Sequence, residues 1–350
     1  SDGWIHPKSL LNDIFGKAKI RTLAKHHMCH AASAFYQSNF KEALIISYDG
    51  GGDDGFFNIY KANSKQIRQI KRIKSDFGGG YLIFSSLIRE VTENSKDQLS
   101  LSGKLMGLCA YGEINHELLD SFSQYFMDRN FKTLSNSLNI DELSNLNPWS
   151  NPLKNWIFED KEGFNIAATA QRAFENKFIS ILKKYDEDLP LILTGGCALN
   201  VLLNERIKKE RKGKIYIPPN PNDCGLSLGH LFIYKKPEEK VNITYSGLPI
   251  LDINKLPFFI KEFNATKVTK AQIAELLFQG NIIGVVYGDS EVGPRALGNR
   301  SIICNPNIKS MKEILNSKIK FREWYRPFAP FCKLEEAHKF FESPSFENLE

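Results

Sequence analysis

His26 and His30, in the segment KHHMCHAASAF, stand four residues apart, so on a helix both imidazoles leave the same face and can share a metal ion. The Ala content of AKHHMCHAASAFY allows that helix. A His pair at this spacing is also common as plain packing or surface. Two carboxylates sharpen the choice. Asp49 closes the apolar run ALIISYD, and carboxylates at strand ends point into the clefts of α/β proteins. Asp223 stands before CGLSLG in PPNPNDCGLSLG, where it either caps the coming helix or joins the imidazoles. Together, two imidazoles and two carboxylates would make a first-row metal site with room for a substrate oxygen. His27, between the pair in sequence, faces elsewhere and reads as a packing residue that is merely near the site.

Two glycine runs and one basic block could handle phosphate. In Asp49-Gly50-Gly51-Gly52-Asp53-Asp54-Gly55 three glycines let backbone amides approach an anion, and the aspartates could hold a metal that bridges phosphates. The same run reads equally as a hairpin turn between ALIISY and FFNIY. The second run, Thr194-Gly195-Gly196-Cys197-Ala198-Leu199-Asn200, follows LPLIL and opens a helix, a setting for phosphate or nucleoside binding. Neither run is GxGxxG or a P-loop, which disfavours a Rossmann dehydrogenase or a P-loop ATPase. From residue 295 to 333 nine basic side chains, among them Arg295, Arg300, Lys320, Arg322 and Arg326, face two acidic ones, Glu313 and Glu323. Their Gly and Pro neighbours (GPRALG, RPFAP) hold arginines rigidly and predict a semi-buried anion pocket rather than a solvated charge run.

The elements that must position these groups are those of an α/β protein. Short apolar runs ending at Gly or Asp (EALIISYDGGGDD, LPLILTGG, NIIGVVYGDS) alternate with amphipathic stretches, of which NIAATAQRAFENKFISILKKY is the clearest helix. A polar segment around 128–163 reads as an insertion. The 350 residues fit two domains at roughly 100 to 200 residues each. We expect the first at 1–240, a linker at 241–257 rich in charge, Pro and Gly, and the second at 258–350. With 42% hydrophobic residues the chain can pack cores, and a net charge of +6 is too small for a dedicated nucleic-acid binder. No apolar run approaches the roughly 18 residues that span a bilayer. The six cysteines are far apart without a CxxC pair, so a reduced cytoplasm fits best.

Six ordered motifs, HHMCHAASAF, DGGGDDG, GKLMGLCAYG, TGGCALN, NPNDCGLSLG and SEVGPRALGNRS with KFREWYRPFAP, resemble the O-carbamoyltransferases of the nodulation-factor, cephem and aminoglycoside type. The resemblance runs from about Ala24 to about Phe341, and GPRALGNRS and REWYRPFAP are its most specific blocks. It implies an actin/sugar-kinase-like (ASKHA) domain followed by a YrdC-like domain. The second would make carbamoyl-adenylate from carbamoyl phosphate and ATP with Mg, and the first would pass the carbamoyl group to a hydroxyl of a small-molecule or glycan acceptor. It further implies an iron-type metal on His26, His30, Asp49 and Asp223. Gly50, Gly51, Gly195, Gly196 and Asn200 match nucleotide-contacting loops, with Arg300 also set against the cofactor, and Arg295, Lys320, Arg322 and Arg326 match the basic pocket of the YrdC-like part. The sequence departs from the family at Asp289, usually basic, and at Val292, usually aromatic. Both domains are expected to be incomplete, at the N- and C-terminal ends respectively. Two alternatives are a relative of the tRNA threonylcarbamoyl transferases and a non-catalytic nucleotide- and metal-binding remnant; the fused GPRALG and RPFAP blocks favour the carbamoyltransferase.

Overall fold

The computed structural model describes residues 24–95, 97–140 and 156–342; part of the polar segment expected as an insertion lies outside them. Helix α1 (His26–Gln37) precedes the central strand β1 (Glu42–Tyr48), which is buried on both faces after Glu42 and so reads as an unbroken apolar run. β2 (Phe57–Asn63) pairs antiparallel with β1, and β3 (Ile67–Ile73) antiparallel with β2. The long helix α5 (Asp160–Tyr185), which follows α2 (Phe77–Ser86), α3 (Leu99–Leu108) and α4 (Leu119–Asp128), feeds β4 (Leu191–Thr194). β4 lies parallel to β1, and after α6 (Val201–Glu210) the short β5 (Ile215–Tyr216) lies parallel to β4. The sheet order is therefore β3-β2-β1-β4-β5, half antiparallel and half parallel. This mixed sheet bears out the α/β class.

Alternation along β1 sorts the core into two layers. Leu44, Ile46 and Tyr48 face a large cluster built from α2 to α5, with Phe77, Phe84, Phe122, Phe126, Phe174 and Phe178. Ala43 and Ile45 face α1, whose Ala31, Ala34 and Phe35 bring that helix close to the sheet. α7 (Leu226–Lys235) lies across α1. A Cβ on Gly229 would meet Cys29 O at 1.9 Å, and one on Gly225 would meet Ser33 Oγ at 3.1 Å. The glycines of CGLSLG thus serve helix–helix contact, and that contact brings Asp223 to the first turn of α1.

Residues 241–342 are built differently. The segment expected as a linker is not free chain in its first half: Gly247 N donates to Ser290 O, Ser290 N to Leu248 O and Val292 N to Thr244 O, 3.0 Å each, so it runs beside GDSEV. Backbone pairing thus seats residues 244–248 against 288–292, despite the Pro and Gly nearby. α8 (Lys270–Phe278), capped by the reciprocal Thr269–Gln272 hydrogen bonds, is followed by the antiparallel pair β6 (Ile283–Val286) and β7 (Arg300–Ile303). Neither α8 nor the short helix Leu256–Glu262 buries a residue. Phe258, Phe263 and Phe278 are 63%, 72% and 77% exposed. The buried residues here are few: Ile243, Glu291, Met311, Leu315, Asn316, Tyr325 and Ala337, of which Met311, Leu315, Asn316 and Tyr325 lie in the basic block. No helix among the described residues is long and apolar enough to cross a membrane.

The Phe77 ring sits 5.2 Å from Phe174, 5.5 Å from Phe57 and 5.8 Å from Phe126, centroid to centroid. Phe77→Ala is expected to cost about 3–5 kcal/mol of stability, the range for a fully buried aromatic truncated to alanine. Chemical denaturation followed by tryptophan fluorescence measures it, and a loss under 1 kcal/mol would contradict this packing.

Candidate functional site

The first turn of α1 carries both histidines, but Lys25, at its N-cap, offers no side-chain cap. The loop after β1 supplies one from a distance: Asp53 Oδ1 accepts from His26 N at 2.8 Å and Asp54 Oδ1 from His27 N at 3.0 Å. One oxygen of Asp53 and one of Asp54 thus serve helix amides that have no internal partner. His27 is fully buried, with Nδ1 2.7 Å from Ser47 Oγ and Nε2 2.9 Å from Gly55 O. Both ring nitrogens are satisfied, which fits the packing reading and leaves no nitrogen for acid–base work.

His26, His30, Asp49 and Asp223 converge, with one ligand-type atom of each within 4.8 Å of the others. His30 Nε2 lies 3.1 Å from His26 Nε2, 3.2 Å from Asp49 Oδ2 and 3.4 Å from Asp223 Oδ1. The turn Asp223–Gly225 has Asn222 at its N-cap without a side-chain cap hydrogen bond, and the Asp223 carboxylate faces the imidazoles. Asp49 Oδ1 accepts from Gly50 N and Oδ2 from Gly196 N, both at 2.7 Å. Burial works to raise the Asp49 pKa, but hydrogen bonds from His26 and His30, the His30 charge and the Gly196 amide hold it far below the ordinary carboxylate range. Burial likewise opposes charge on His30, yet Asp223 and Asp49 lift its pKa above the ordinary value. Two carboxylates this close repel one another, and a set of two imidazoles and two carboxylates suits a divalent first-row cation.

The cluster opens on a cavity of about 430 Å³. Its walls include Asp49, Gly50, Gly196, Asn200, Asp223, Tyr81, Ser100 and Ser102 from the first unit, and Arg295 and Arg326 from the basic block. Of the four expected glycines, Gly50 and Gly196 line it; Gly51 and Gly195 do not. Gly195 adopts φ +90°, and a Cβ there would meet Tyr48 O at 2.2 Å, so only glycine fits. The amides of Gly50 and Gly196 are committed to Asp49, and Gly195 N donates to Pro221 O at 2.7 Å. These glycines give space and a tight turn; three of their amides are unavailable to a phosphate. Asn200 caps α6 through Leu203 N at 3.0 Å and exchanges hydrogen bonds with Gln171, which also accepts from Tyr81 Oη.

The basic block divides. Arg295 and Arg326 reach the cavity. Lys320 is exposed and does not line it. Arg322 is turned to its own loop, donating to Asn316 Oδ1 at 2.8 Å and Pro327 O at 3.2 Å, with its guanidinium 4.6 Å above the Phe328 ring. Arg300, expected at the cofactor, instead donates to Glu291 Oε2 at 2.6 Å and Glu291 O at 3.1 Å. Of these five side chains two arginines line the cavity, whereas Arg300 and Arg322 satisfy nearby acceptors and Lys320 is exposed. Sequence reasoning missed Tyr81, Ser100 and Ser102 in the wall. Only GKLMGL, recognised as a motif without a role, pointed to that region.

A carbamoyltransferase N-terminus family model matches residues 11–231 and a carbamoyltransferase C-terminus model residues 274–348. The chain belongs to the carbamoyltransferase family. It is 29% identical to nodulation protein NolNO of Sinorhizobium fredii, over 92% of this chain and 49% of that protein. An uncharacterized protein of Methanocaldococcus jannaschii is 32% identical over 87% of this chain and 60% of its own length. The 3'-hydroxymethylcephem-O-carbamoyltransferase of Streptomyces clavuligerus is 28% identical over 83% and 55%. This carbamoyltransferase chain therefore spans about half to three fifths of the curated relatives it matches.

Within the family block GPRALGNRS the turn is organised by Glu291, whose side chain is fully buried. Its Oε1 accepts from Leu297 N at 2.9 Å, Asn299 N at 2.8 Å and Arg300 N at 3.2 Å. Burial alone would raise the Glu291 pKa, but Arg300 and the amides outweigh it and bring it down to about 2. A carboxyl lowered on folding stabilises the fold above its unfolded pKa, about 4.3, and loses that contribution as pH falls toward its folded value. Amide exchange protection at Leu297, Asn299 and Arg300 should therefore decline between about pH 4.3 and about pH 2. In Glu291→Gln the decline should vanish, with protection already low at neutral pH. Unchanged protection in that variant would show that the turn holds without the carboxylate.

Proposed function

We propose that this chain carries the transfer site of an O-carbamoyltransferase, in which carbamoyl phosphate and ATP with Mg supply carbamoyl-adenylate and the carbamoyl group passes to a hydroxyl of a small-molecule or glycan acceptor. The observation that carries this reading is the single cavity where the His–Asp cluster, both glycine loops, Arg295 and Arg326 meet. A volume of about 430 Å³ lies in the range of small-molecule and cofactor sites. The name of the Streptomyces clavuligerus relative supports a hydroxymethyl-type acceptor. The strand order β3-β2-β1-β4-β5 supports an ASKHA-type first unit, and the GPRALGNRS and REWYRPFAP blocks support a YrdC-like second unit.

His26, His30, Asp49 and Asp223 would hold the divalent metal, with ferrous iron as the ion the resemblance favours. When bound, such an ion supplies positive charge that polarises a carbonyl or phosphoryl oxygen. The chain's own residues do the rest. Gly50 and Gly196, lacking side chains, keep the cavity open beside the cluster. Arg295 and Arg326 supply the positive charge that faces the adenylate phosphate, because three glycine amides in the loops are already committed. In the transfer step the acceptor oxygen bonds to the carbamoyl carbon and the bond from that carbon to the phosphate oxygen breaks. AMP leaves with the electron pair, and the hydroxyl proton is released. The arginines stabilise charge as it grows on the departing phosphate. Lys320, outside this cavity, is left for capture of carbamoyl phosphate.

Cobalt(II) titrated into the chain should give visible absorption, and His30→Ala should weaken its binding by at least about tenfold, the smallest loss typical of disturbed metal sites. Unchanged cobalt binding in His30→Ala would remove the metal from this reading. In the complete protein, pyrophosphate release from ATP should require carbamoyl phosphate. His30→Ala should preserve that release and block transfer, whereas Arg295→Ala should slow transfer by about 10²-fold. Equal pyrophosphate release with and without carbamoyl phosphate would sink the assignment.

A further inference from the structure

Arg326 reaches the cavity from a turn that does not stand alone. Tyr325, next to it, is 1% exposed and donates through Oη to Glu90 O at 3.0 Å in the first unit. Gly107 of α3 lies against that turn, where a Cβ would stand at ordinary contact distance, 3.5 Å, from Tyr325 Cδ2 and Pro327 Cδ. Beside it lies a buried ion pair between the units: Lys104 Nζ with Glu323 Oε1, side chains 6% and 9% exposed. Lys104 also donates to Ser95 Oγ at 2.6 Å, while Glu323 Oε2 lies 3.7 Å from Arg326 Nη1. Glu323 therefore stands between two cations, one on each unit.

We propose that Lys104 and Glu323 are positioning residues for the anion site: Lys104 engages the Glu323 carboxylate and anchors the turn, leaving the Arg326 guanidinium available to a phosphate in the cavity. This rests on the reading of that cavity as an anion site. With Lys104 neutral, Arg326 is the remaining ion-pair partner of Glu323 among the described residues, and it turns away from the ligand. The Lys of GKLMGL and the Glu of REWYRP, two separated motifs, thereby act as one device.

The test is calorimetric titration of pyrophosphate and of ATP into the full chain, with thermal melting as a check of folding. Arg326→Ala and Lys104→Met are each expected to weaken binding about tenfold, the loss of one charge-assisted contact. The double variant Lys104→Met/Glu323→Gln, which frees Arg326 from its competitor, should recover binding to within about threefold of the original. A purely structural pair makes the opposite prediction, a double variant no better than Lys104→Met, and that result overturns the proposal. So does unchanged binding in Lys104→Met when Arg326→Ala binds weakly, an outcome that leaves the cavity reading intact. Unchanged binding in Arg326→Ala overturns the cavity reading and the proposal with it. Should Lys104→Met fail to fold, Glu323→Asp keeps the charge and shortens its reach; weaker binding at an unchanged melting temperature supports the device, and unchanged binding overturns it.

Discussion

At the end of β1 the Asp49 carboxylate accepts from the first amide of one glycine loop and from an amide of the other, while Oδ2 faces His30 Nε2 at 3.2 Å. Strand end, both loops and α1 meet at this one side chain. Its position follows from β1 being the central strand, buried on both faces and paired with β2 and β4. A carboxylate at the end of a strand held on both sides has little freedom to swing. The two amides fix each oxygen, and against its burial the imidazoles, with the Gly196 amide, favour the ionised form.

That arrangement leaves the glycine loops few free amides to offer an anion. Glycine-rich loops often bind anions through their own amides, yet here Asp49 and Pro221 O occupy three of those amides. An internal anion has taken the place of an external one. The cations that line the cavity, Arg295 and Arg326, come from the basic block, so one space is lined by both carboxylates and guanidinium groups.

Much of this was legible in the sequence. The four metal-type ligands were readable because each sits at an element boundary with a local signature: i,i+4 spacing for His26 and His30, the end of an apolar run for Asp49, a Pro-terminated loop for Asp223. The helix α5 was readable from periodicity, α1 from its Ala content, β1, β4 and β6 from apolar runs that end at Gly or Asp, and β2 as the far side of a hairpin. What stayed hidden depends on contacts distant in sequence. That Asp53 and Asp54 cap α1 from 27 residues away has no local signature. Arg300 looks like a ligand-binding arginine until Glu291, nine residues earlier, claims it. Spacing shows which groups can meet; it does not show which of several acceptors wins, because that is settled by burial and by competition among partners.

The basic block shows that competition at its largest scale. Around it, residues 241–342 bury few side chains of their own, and the helices at Leu256–Glu262 and α8 bury none. A segment without its own core must take its geometry from what it rests on. Here that is α3 and the neighbouring loops of the first unit: Tyr325 on Glu90 O, Trp324 edge-on to Tyr111 at 4.7 Å, Lys312 on Tyr111 Oη at 2.5 Å, Glu323 on Lys104. Apolar contact and a buried ion pair are short-range, so they fix the turn that carries Arg326 more tightly than they fix the exposed helices beyond it. The turn that carries Arg326 is thus seated on the unit that carries His26, His30, Asp49 and Asp223, although the two come from distant parts of the chain.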